Sequence, residues 1–282
     1  MHLAPLWFTV ITFFVALGAG VLGSLLGLGG GLIVIPALTL AFGVDMKYAI
    51  GASIVSVIAT SSGAAAAYVR ERMTNLRVAM LLEVGTTAGA IAGATITGYL
   101  NKSALFVIFG SIMFLSAILM LRKRREHLSK TMRTDPISDR LRLHDSYFDE
   151  NQQREVAYQV EHPILGLVMM VVAGCVSGLL GVGSGVLKVP AMDLAMKLPI
   201  KVSTATSNFM IGVTAAASAG VYFARGDINP YIAGPVAAGV MIGATVGSRL
   251  LGRLKNNFIR TLFVIVLLIV SVQMLMKGIR PQ

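Results

Sequence analysis

The sequence predicts an all-α polytopic integral membrane protein that is built from two homologous repeats. Two observations lead to this fold class. The chain is 55% hydrophobic and only 13% charged, whereas soluble domains carry about 25% charged residues. A segment that begins at Gly20 also returns at Gly174, an offset of 154 residues. A single apolar unit has therefore been duplicated and fused.

The two copies stay in register without a gap for roughly 90 residues. Matched positions include the pairs Ser53 and Ser207, Thr60 and Thr214, Tyr68 and Tyr222, Asn75 and Asn229, and Gly89 and Gly243. Duplication of an apolar unit with a glycine-broken segment is typical of secondary transporters, whose substrate lies where the halves meet.

Each repeat is expected to hold about four long spans and one short glycine-broken helix, eight to ten segments in all. Apolar runs of about 20 residues can cross roughly 30 Å of hydrocarbon. They lie at about 5–26, 49–69, 77–99, 103–121, 163–181, 202–223, 230–252 and 258–276, and shorter pieces at about 31–43 and 185–198 follow glycine clusters. No basic stretch or cleavage site precedes Gly18, so we expect the first run to be retained.

The net charge of +11 raises the question of nucleic acid. However, the basic residues lie at segment ends, as the positive-inside rule requires, so no nucleic-acid partner is expected. Cys175 is the one cysteine, and the four histidines have no metal-ligand spacing, so neither a disulfide nor a metal site is predicted. No GK[ST] follows the glycines, which excludes a nucleotide P-loop. We expect no cofactor.

Three regions follow from this pattern: a first transmembrane repeat at 1–121, a polar linker at 122–162 and a second repeat at 163–282. The linker opens with Arg122, Lys123, Arg124 and Arg125 and holds most of the acidic residues. Little apolar content predicts a solvated segment with short amphipathic turns at most, and the basic cluster after a span places it in the cytoplasm. A regulatory or docking role is the alternative.

The relative orientation of the repeats depends on the two short pieces. If they only dip into the membrane, each repeat crosses four times and the halves point the same way. If they cross, each repeat has five crossings and the halves are inverted. The charges of the loops differ little between the two schemes. We favour the inverted scheme by a small margin.

The glycine clusters at 27–31 and 181–185 are too dense for a stable helix interior, since each glycine costs about 1 kcal/mol relative to alanine. A helix should break there, and its free amides must then be satisfied by protein, water or ligand. The start of the next helix suits an anion. The candidate anion-binding residues are Gly29, Gly30, Gly31, Gly183, Ser184 and Gly185.

Close helix packing is the other explanation for glycine in spans. We favour it for the residues spaced by four, at 85, 89 and 93 and at 239, 243 and 247. Gly89→Ala is therefore expected to be tolerated, whereas Gly30→Val and Gly185→Val are expected to abolish transport in a protein that still folds.

Ionisable residues inside spans are functional candidates because each costs a few kcal/mol in lipid. Lys188 replaces Val34 of the first copy, and it could donate to an anion or form a buried pair with Asp193 or Glu83. Both roles stay open. Glu83 has Ala237 as its counterpart, and for Glu83 we favour structural pairing or snorkelling over proton coupling.

Hydroxyl and amide side chains cluster at the start of the third segment of each repeat. The candidates are Ser53 in the first copy and Thr206, Ser207 and Asn208 in the second. Such groups coordinate oxyanions without the desolvation cost of a full charge. They can equally bond to the preceding helical turn. Duplication of the cluster favours a role in lining the substrate site.

A glycine-rich break that is followed by an apolar stretch, a proline and a serine at the start of the next span occurs in both halves. This pattern resembles that of the sulfite exporter TauE/SafE family. The matches are Gly27, Gly29, Gly30, Gly31, Pro36, Ala49 and Ser53 in the first half, and Gly181, Gly183, Gly185, Pro190 and Ser207 in the second. The resemblance covers the chain outside the linker. It implies a plasma-membrane permease that moves sulfur-containing anions such as sulfite, sulfonates or sulfoacetate. Ser184 in place of the middle glycine and the charge of Lys188 depart from the pattern and leave the substrate open.

The expected function is a secondary carrier for a small sulfur oxyanion and not an enzyme. A coupling proton or cation and a homo-oligomer are compatible with the sequence, and the partners are the anion and the lipid bilayer. The alternatives are an anion channel and a structural subunit of a membrane complex. The sequence fixes neither the direction of transport nor the coupling ion.

Overall fold

The computed structural model describes residues 5–121, 135–149, 153–181, 183–251 and 253–279. The helices are α1 (Pro5–Leu26), α2 (Gly31–Pro36), α3 (Met46–Arg70), α4 (Leu76–Thr97), α5 (Lys102–Leu121), α6 (Pro136–Arg140), α7 (Pro163–Leu180), α8 (Gly185–Pro190), α9 (Ile200–Ala224), α10 (Pro230–Leu251) and α11 (Asn256–Ile279). A π-helical turn continues α2 at Ala37–Ala41 and α8 at Ala191–Ala195. The strands are β1 (Asp145–Asp149) and β2 (Arg154–Tyr158).

Six of the described helices are long and apolar enough to cross a membrane: Leu6–Leu26, Met46–Arg70, Leu76–Thr97, Pro163–Leu180, Pro230–Leu251 and Asn257–Ile279. In α5 the corresponding apolar stretch is shorter, Ser103–Ile118. Helix α9, which the sequence also predicts as a span, is not among the six. Its N-terminal half carries several buried polar side chains that neighbouring helices shield from lipid. The prediction of an all-α polytopic membrane protein is confirmed.

The outer faces of the helices are apolar. Met80 and Val84 of α4 are 68% and 73% exposed, which in water would be a large unprotected hydrophobic surface. Tyr99 and Tyr231 are also exposed and lie just after α4 and at the start of α10. Aromatic side chains at helix ends suit the interface between lipid and water. The surface is therefore that of a protein surrounded by a bilayer.

The order of elements recurs along the chain. The bounds of α2 and α8, of α3 and α9, and of α4 and α10 differ by the same 154 residues that separate the sequence copies. Each set begins with a long helix, breaks, and continues with a short helix, a π-helical turn and three long helices. The repeat nevertheless rests on sequence and element order, and its symmetry stays a prediction.

Helices of the two halves pack closely against each other along faces that are lined by glycine. Helix α4 packs along α7, and α1 packs along α10. A Cβ atom on Gly89 would strike the carbonyl oxygen of Val171, and one on Gly243 would strike that of Leu17. The packing role of the glycines spaced by four is confirmed. The expectation that Gly89→Ala is tolerated is wrong, because a backbone oxygen occupies the space that a methyl group would need.

Contacts along these pairs give the helix directions. Gly85 lies against Leu167 and Gly93 against Cys175, so α4 and α7 run parallel. Helices α3 and α9 are antiparallel, since Gly51 at the start of α3 lies against Asp227 after α9.

A second contact supports the antiparallel arrangement of α3 and α9. Thr206 near the start of α9 accepts a hydrogen bond from Asn75, which follows the end of α3. The contacts also place α3 and α10 parallel, through Gly51 with Ile228 and Gly63 with Met241. Helix α9 is parallel to α4, and α1 to α10. Helices α1, α3 and α10 thus point one way and α7, α9 and α4 the other, as inverted repeats require. The inversion itself stays a prediction to be tested in a membrane.

The linker departs from the expected solvated segment. Asp135 caps α6, and β1 pairs with β2 as an antiparallel hairpin in which Tyr147 faces Val156. Leu143 and Tyr147 are 2% exposed, and they belong to a buried cluster that also contains Val78 and Val202 of the membrane helices. The reasoning from low apolar content missed this docking. The basic cluster Arg122 to Arg125 lies outside the described residues.

Polar contacts fix the hairpin to the ends of α4 and α9. The Nδ2 group of Asn75 donates to the carbonyl of Leu143 at 2.8 Å and to the Tyr158 hydroxyl at 3.1 Å. Lys201 forms a buried ion pair with Asp149 at 3.0 Å. Burial raises the pKa of the Tyr158 hydroxyl well above its usual range. The described part of the linker, 135–149 and 153–162, is thus part of the packed structure at one end of the helix bundle.

Candidate functional site

Both glycine clusters break the helix, as predicted. In the first break Gly27, Gly29 and Gly30 have φ values of 69°, 68° and 44°. In the second break Gly181 and Gly183 have φ values of 66° and 76°. This left-handed region is strained for residues with a Cβ atom, and it explains why glycine is needed there. Ser184 adopts it at φ 58° despite its side chain, at the position equivalent to Gly30.

The two breaks touch each other. A Cβ atom on Gly185 would strike the carbonyl oxygen of Gly27 in the other half. Gly29 and Gly183 lie against the same two side chains, Val57 of α3 and Ile211 of α9, which are themselves 154 residues apart. The expected meeting of the two clusters is present, at a point shared by both halves.

Ser53 and Ser207 tie each break to the opposite half. The Ser53 hydroxyl donates to the carbonyl of Gly181 at 2.6 Å, and the Ser207 hydroxyl donates to the carbonyl of Gly27 at 2.8 Å. Both side chains are fully buried. The alternative, a bond to the preceding turn of the same helix, is not what these two serines make. Their hydroxyls satisfy carbonyls that the helix ends leave free.

Asn208 and Thr206 differ in their surroundings. The Nδ2 group of Asn208 donates to the carbonyl of Ser24 at 2.7 Å, close before the first break, while its Oδ1 atom is buried without a partner among the described residues. The Thr206 hydroxyl accepts from the amide of Asn75 at 3.1 Å. Asn208 therefore lies beside a break, whereas the hydroxyl of Thr206 is used by the loop before α4.

Backbone amides at the breaks are buried and only partly used. In the first break the amides of Leu28 and Gly29 donate to Gly23, and the amide of Gly31 turns back to Gly29. For Gly183, Ser184 and Gly185 the described part of the chain provides no backbone acceptor. Because buried amides without acceptors are costly, these groups are candidates for binding a ligand.

Lys188 lies one helical turn beyond the second break, since its amide donates to the carbonyl of Ser184 at 2.9 Å. Its side chain is completely buried. The ammonium Nζ donates to the Thr214 hydroxyl at 2.7 Å and lies 3.6 Å from Oε2 of Glu83. Of the two partners considered from the sequence, Glu83 is seen in contact with Lys188.

Glu83 completes a polar cluster that the sequence pointed to only in part. Its Oε1 atom accepts from the hydroxyls of Thr214 at 2.6 Å and Thr87 at 3.1 Å. Its Oε2 atom is buried and accepts no hydrogen bond within the described structure. Thr214 and Thr87 were missed as members. The sequence signal that could have found this cluster was a difference between the repeats. Lys188 corresponds to Val34 in the first repeat, and Glu83 corresponds to Ala237 in the second.

The chemistry of this region suits a small anion. It offers a buried ammonium and, at the second break, backbone amides without a backbone acceptor in the described structure, and such donors bind oxyanions well. Within the described ranges, no group of three or more histidine, cysteine, aspartate or glutamate side chains is placed to hold a metal ion. A polytopic helical bundle with two broken helices meeting inside it is typical of membrane transporters.

The family model described as sulfite exporter TauE/SafE matches residues 12–274, and the chain belongs to this family. It is a multi-pass membrane transporter. The expectation drawn from the glycine and proline pattern is thereby confirmed at the level of the family.

Curated relatives carry matching names. The chain is 28% identical over 278 residues to the probable membrane transporter protein YunE of Bacillus subtilis, covering 96% of this chain and 98% of that protein. It is 25% identical to the probable membrane transporter protein YdhB of the same organism, over 82% of this chain and 85% of the relative. The probable membrane transporter protein MJ0441 of Methanocaldococcus jannaschii is 25% identical, over 69% and 65%. No solved structure matches the chain.

Proposed function

We propose that the protein is a secondary carrier that moves a small sulfur-containing anion, such as sulfite, a sulfonate or sulfoacetate, across the plasma membrane, and that it is not an enzyme. The observation that carries this proposal is the contact between the two breaks at Gly27 and Gly185. It sets two helix starts and their buried amides against each other in the interior. The family description adds the class of anion.

In this proposal the anion binds to backbone amides and to Lys188. Gly30, Gly183, Ser184 and Gly185 are buried, and their amides have no backbone acceptor in the described structure. The dipoles of the helices that start at Gly31 and Gly185 favour negative charge. Gly29 contributes shape, because only glycine leaves room beside Val57 and Ile211.

The hydroxyl candidates take a supporting role in the proposal. The hydroxyls of Ser53 and Ser207 are held by break carbonyls, and that of Thr206 by the Asn75 amide. Their function is to hold the two breaks in place. Asn208 keeps a free Oδ1 acceptor, which repels an oxyanion and suits a protonated group or a water better. The substrate contacts therefore concentrate on the second break.

Thermal stabilisation of the purified protein in detergent tests binding. A ligand present at about 100 times its dissociation constant adds about 2.7 kcal/mol of stability. Methanesulfonate, sulfoacetate and sulfite are the probes, with chloride as the control anion. A rise in melting temperature with one of the sulfur anions and not with chloride is expected. No selective rise with any of them would contradict the choice of substrate class.

Flux in liposomes tests the mode of transport. A carrier exchanges labelled for unlabelled anion across the membrane and saturates with concentration. A channel instead gives a flux that rises in proportion to the gradient and shows no exchange stimulation. A structural subunit gives no flux. Saturable exchange is the expected result, and either of the other outcomes would replace the carrier by an alternative.

A further inference from the structure

The polar cluster beyond the second break consists of Lys188, Glu83, Thr214 and Thr87, and it contains hydrogen-bonding groups that have no partner in the described structure. Lys188 has three donor hydrogens, and within the described structure its ammonium donates one hydrogen bond, to Thr214. Oε2 of the Glu83 carboxylate lies 3.6 Å from the ammonium, which is an ion-pair distance. This Oε2 atom is buried with no donor in the described structure.

The first repeat provides an internal comparison. The offset of 154 residues pairs Lys188 with Val34 and Thr214 with Thr60, both in the first repeat. It pairs Glu83 with Ala237 in the second repeat. Thr60 bonds to the carbonyl of Ser56 in its own helix, and Val34 is buried among apolar side chains. In the first repeat the helical turn after the break therefore forms without a charged side chain at these positions. The charged pair on one side is not required by the architecture.

The charged surroundings of Glu83 are simple. Helix α9 presents Thr214, and α8 presents Lys188, which is the ionised group within 4.0 Å of Glu83 in the described part of the chain. Helix α7 carries Cys175, which lies farther along α4 beside Gly89 and Gly93. Asp193 follows α8, and Arg77 at the start of α4 bonds to the carbonyl of Arg142 in the linker. One carboxylate and one ammonium thus face each other.

We propose that Glu83 and the substrate anion compete for Lys188, and that binding of a proton at Oε2 of Glu83 frees the ammonium for the anion, so that one proton travels with each anion. This coupling rests on the proposed carrier function. The proton enters at the carboxylate oxygen that has no hydrogen bond. The freed ammonium then binds the anion.

Charge balance supports the stoichiometry. The empty site holds one carboxylate and one ammonium and is neutral. After a proton and a monoanion bind, the site holds a carboxylic acid, an ammonium and an anion, and it is neutral again. Either ligand alone would leave a net charge in the interior, which costs several kcal/mol. Only the empty and the doubly loaded states are therefore suited to the conformational change that carries the substrate across.

The test uses methanesulfonate, which stays a monoanion over the whole working pH range, so that any pH dependence belongs to the protein. Liposomes that contain the purified protein and a trapped pH-sensitive dye receive an inward methanesulfonate gradient. The wild-type protein is expected to acidify the interior in step with uptake. Glu83→Gln is expected to exchange methanesulfonate but to lose the acidification, since glutamine imitates the protonated acid.

Asp227→Asn is the matched control. It also removes a largely buried carboxylate, but one that pairs with Arg225 at 2.6 Å beyond the end of α9. Acidification is expected to persist in this variant. Proton movement that persists in Glu83→Gln, or methanesulfonate uptake without protons in the wild type, would overturn the coupling.

A measurement that needs no transport separates this proposal from the carrier function. Infrared difference spectra of the wild-type protein on acidification are expected to contain the carbonyl band of a buried carboxylic acid, and Glu83→Gln is expected to lose it. If no sulfur anion is transported while the band is present and lost in the variant, the carrier proposal fails and the proton site stands. An unchanged band in Glu83→Gln refutes the proton site whatever the transport result.

Discussion

The hydroxyl of Ser53 donates a 2.6 Å hydrogen bond to the carbonyl of Gly181, which lies 128 residues away in the other half of the chain. Its counterpart, Ser207, does the same to Gly27 at 2.8 Å. Each half therefore supplies the side chain that satisfies the broken helix of the other. The region where substrate is proposed to bind is thus held together by contributions from both halves.

Ser53→Ala and Ser207→Ala are expected to destabilise the protein by about 1–3 kcal/mol each, because a buried carbonyl loses its donor. Melting temperature in detergent measures the loss. Ser62→Ala is the control, since its exposed hydroxyl bonds within its own helix to Ile58, and it should melt like the wild type. Equal melting of all three variants would mean that the cross-half bonds contribute nothing.

Gly89→Ala is expected to lower stability by roughly 1–3 kcal/mol, as overpacking does in other cores. The added methyl group would strike the carbonyl of Val171 and force α4 away from α7. Gly234→Ala in α10 is the matched control, because nothing lies within 4 Å of its added methyl group. The melting temperatures of both variants test this expectation. A Gly89→Ala variant that melts at the wild-type temperature would contradict the close packing of α4 on α7.

Lys188→Met is expected to abolish anion uptake while keeping the aliphatic stem. Loss of the ammonium also leaves the Glu83 carboxylate without its cation, so some stability is expected to be lost. The double variant Lys188→Met with Glu83→Gln removes both charges and is expected to recover the melting temperature without recovering uptake. Uptake at the wild-type rate in either variant would remove Lys188 from the anion site.

The breaks require a milder substitution than valine. A Cβ atom on Gly185 would fall on the Gly27 carbonyl, so Gly185→Val is expected to prevent folding and gives no information on transport. Gly30→Ala meets the Thr60 hydroxyl at 3.0 Å and is strained by about 1–2 kcal/mol in the left-handed region. We expect it to insert, to melt lower and to transport more slowly.

Ser184→Gly is the control for that experiment. It places in the second break the residue that the first break already has, and it relieves a left-handed serine. Uptake close to the wild-type rate and an equal or higher melting temperature are expected. If Gly30→Ala transports as fast as Ser184→Gly, the first break does not contact the anion.

Single cysteines test the inverted arrangement. In a Cys175→Ala background, Tyr231→Cys lies at the start of α10 and Lys255→Cys lies just before α11. With the linker in the cytoplasm, inversion places position 231 outside and position 255 inside, whereas parallel repeats reverse both. Labelling of whole cells with a membrane-impermeant maleimide is expected at 231 and not at 255. The reverse pattern would establish parallel repeats.

Much of the architecture could be predicted because it depends on local composition. Glycine density at 27–31 and 181–185 predicted the breaks, and uniform hydropathy predicted the spans. The linker could not be predicted in the same way, since Leu143 and Tyr147 are buried against helices distant in sequence. Packing on a distant surface leaves no periodic signal in a segment this short.

The sequence indicated which residues lie at the two breaks, but it did not indicate what these residues contact. Ser53 and Ser207 were found, but their hydrogen-bond partners are 128 and 180 residues away, and no spacing rule gives such a pairing. Gly89 was assigned to packing correctly, yet its tolerance of alanine was misjudged, because the spacing of glycines does not tell how closely two backbones approach. Distances of this kind exist only once the helices are assembled.

The interlacing of the halves has a consequence for biosynthesis. Helix α4 presents a glycine face whose partner, α7, is made only after the linker has left the ribosome, and α1 waits longer still for α10. Until then these faces meet lipid or the insertion machinery. Chains that stop before the second half are therefore unable to complete this packing, whereas two separately expressed halves have the surfaces needed to assemble with each other.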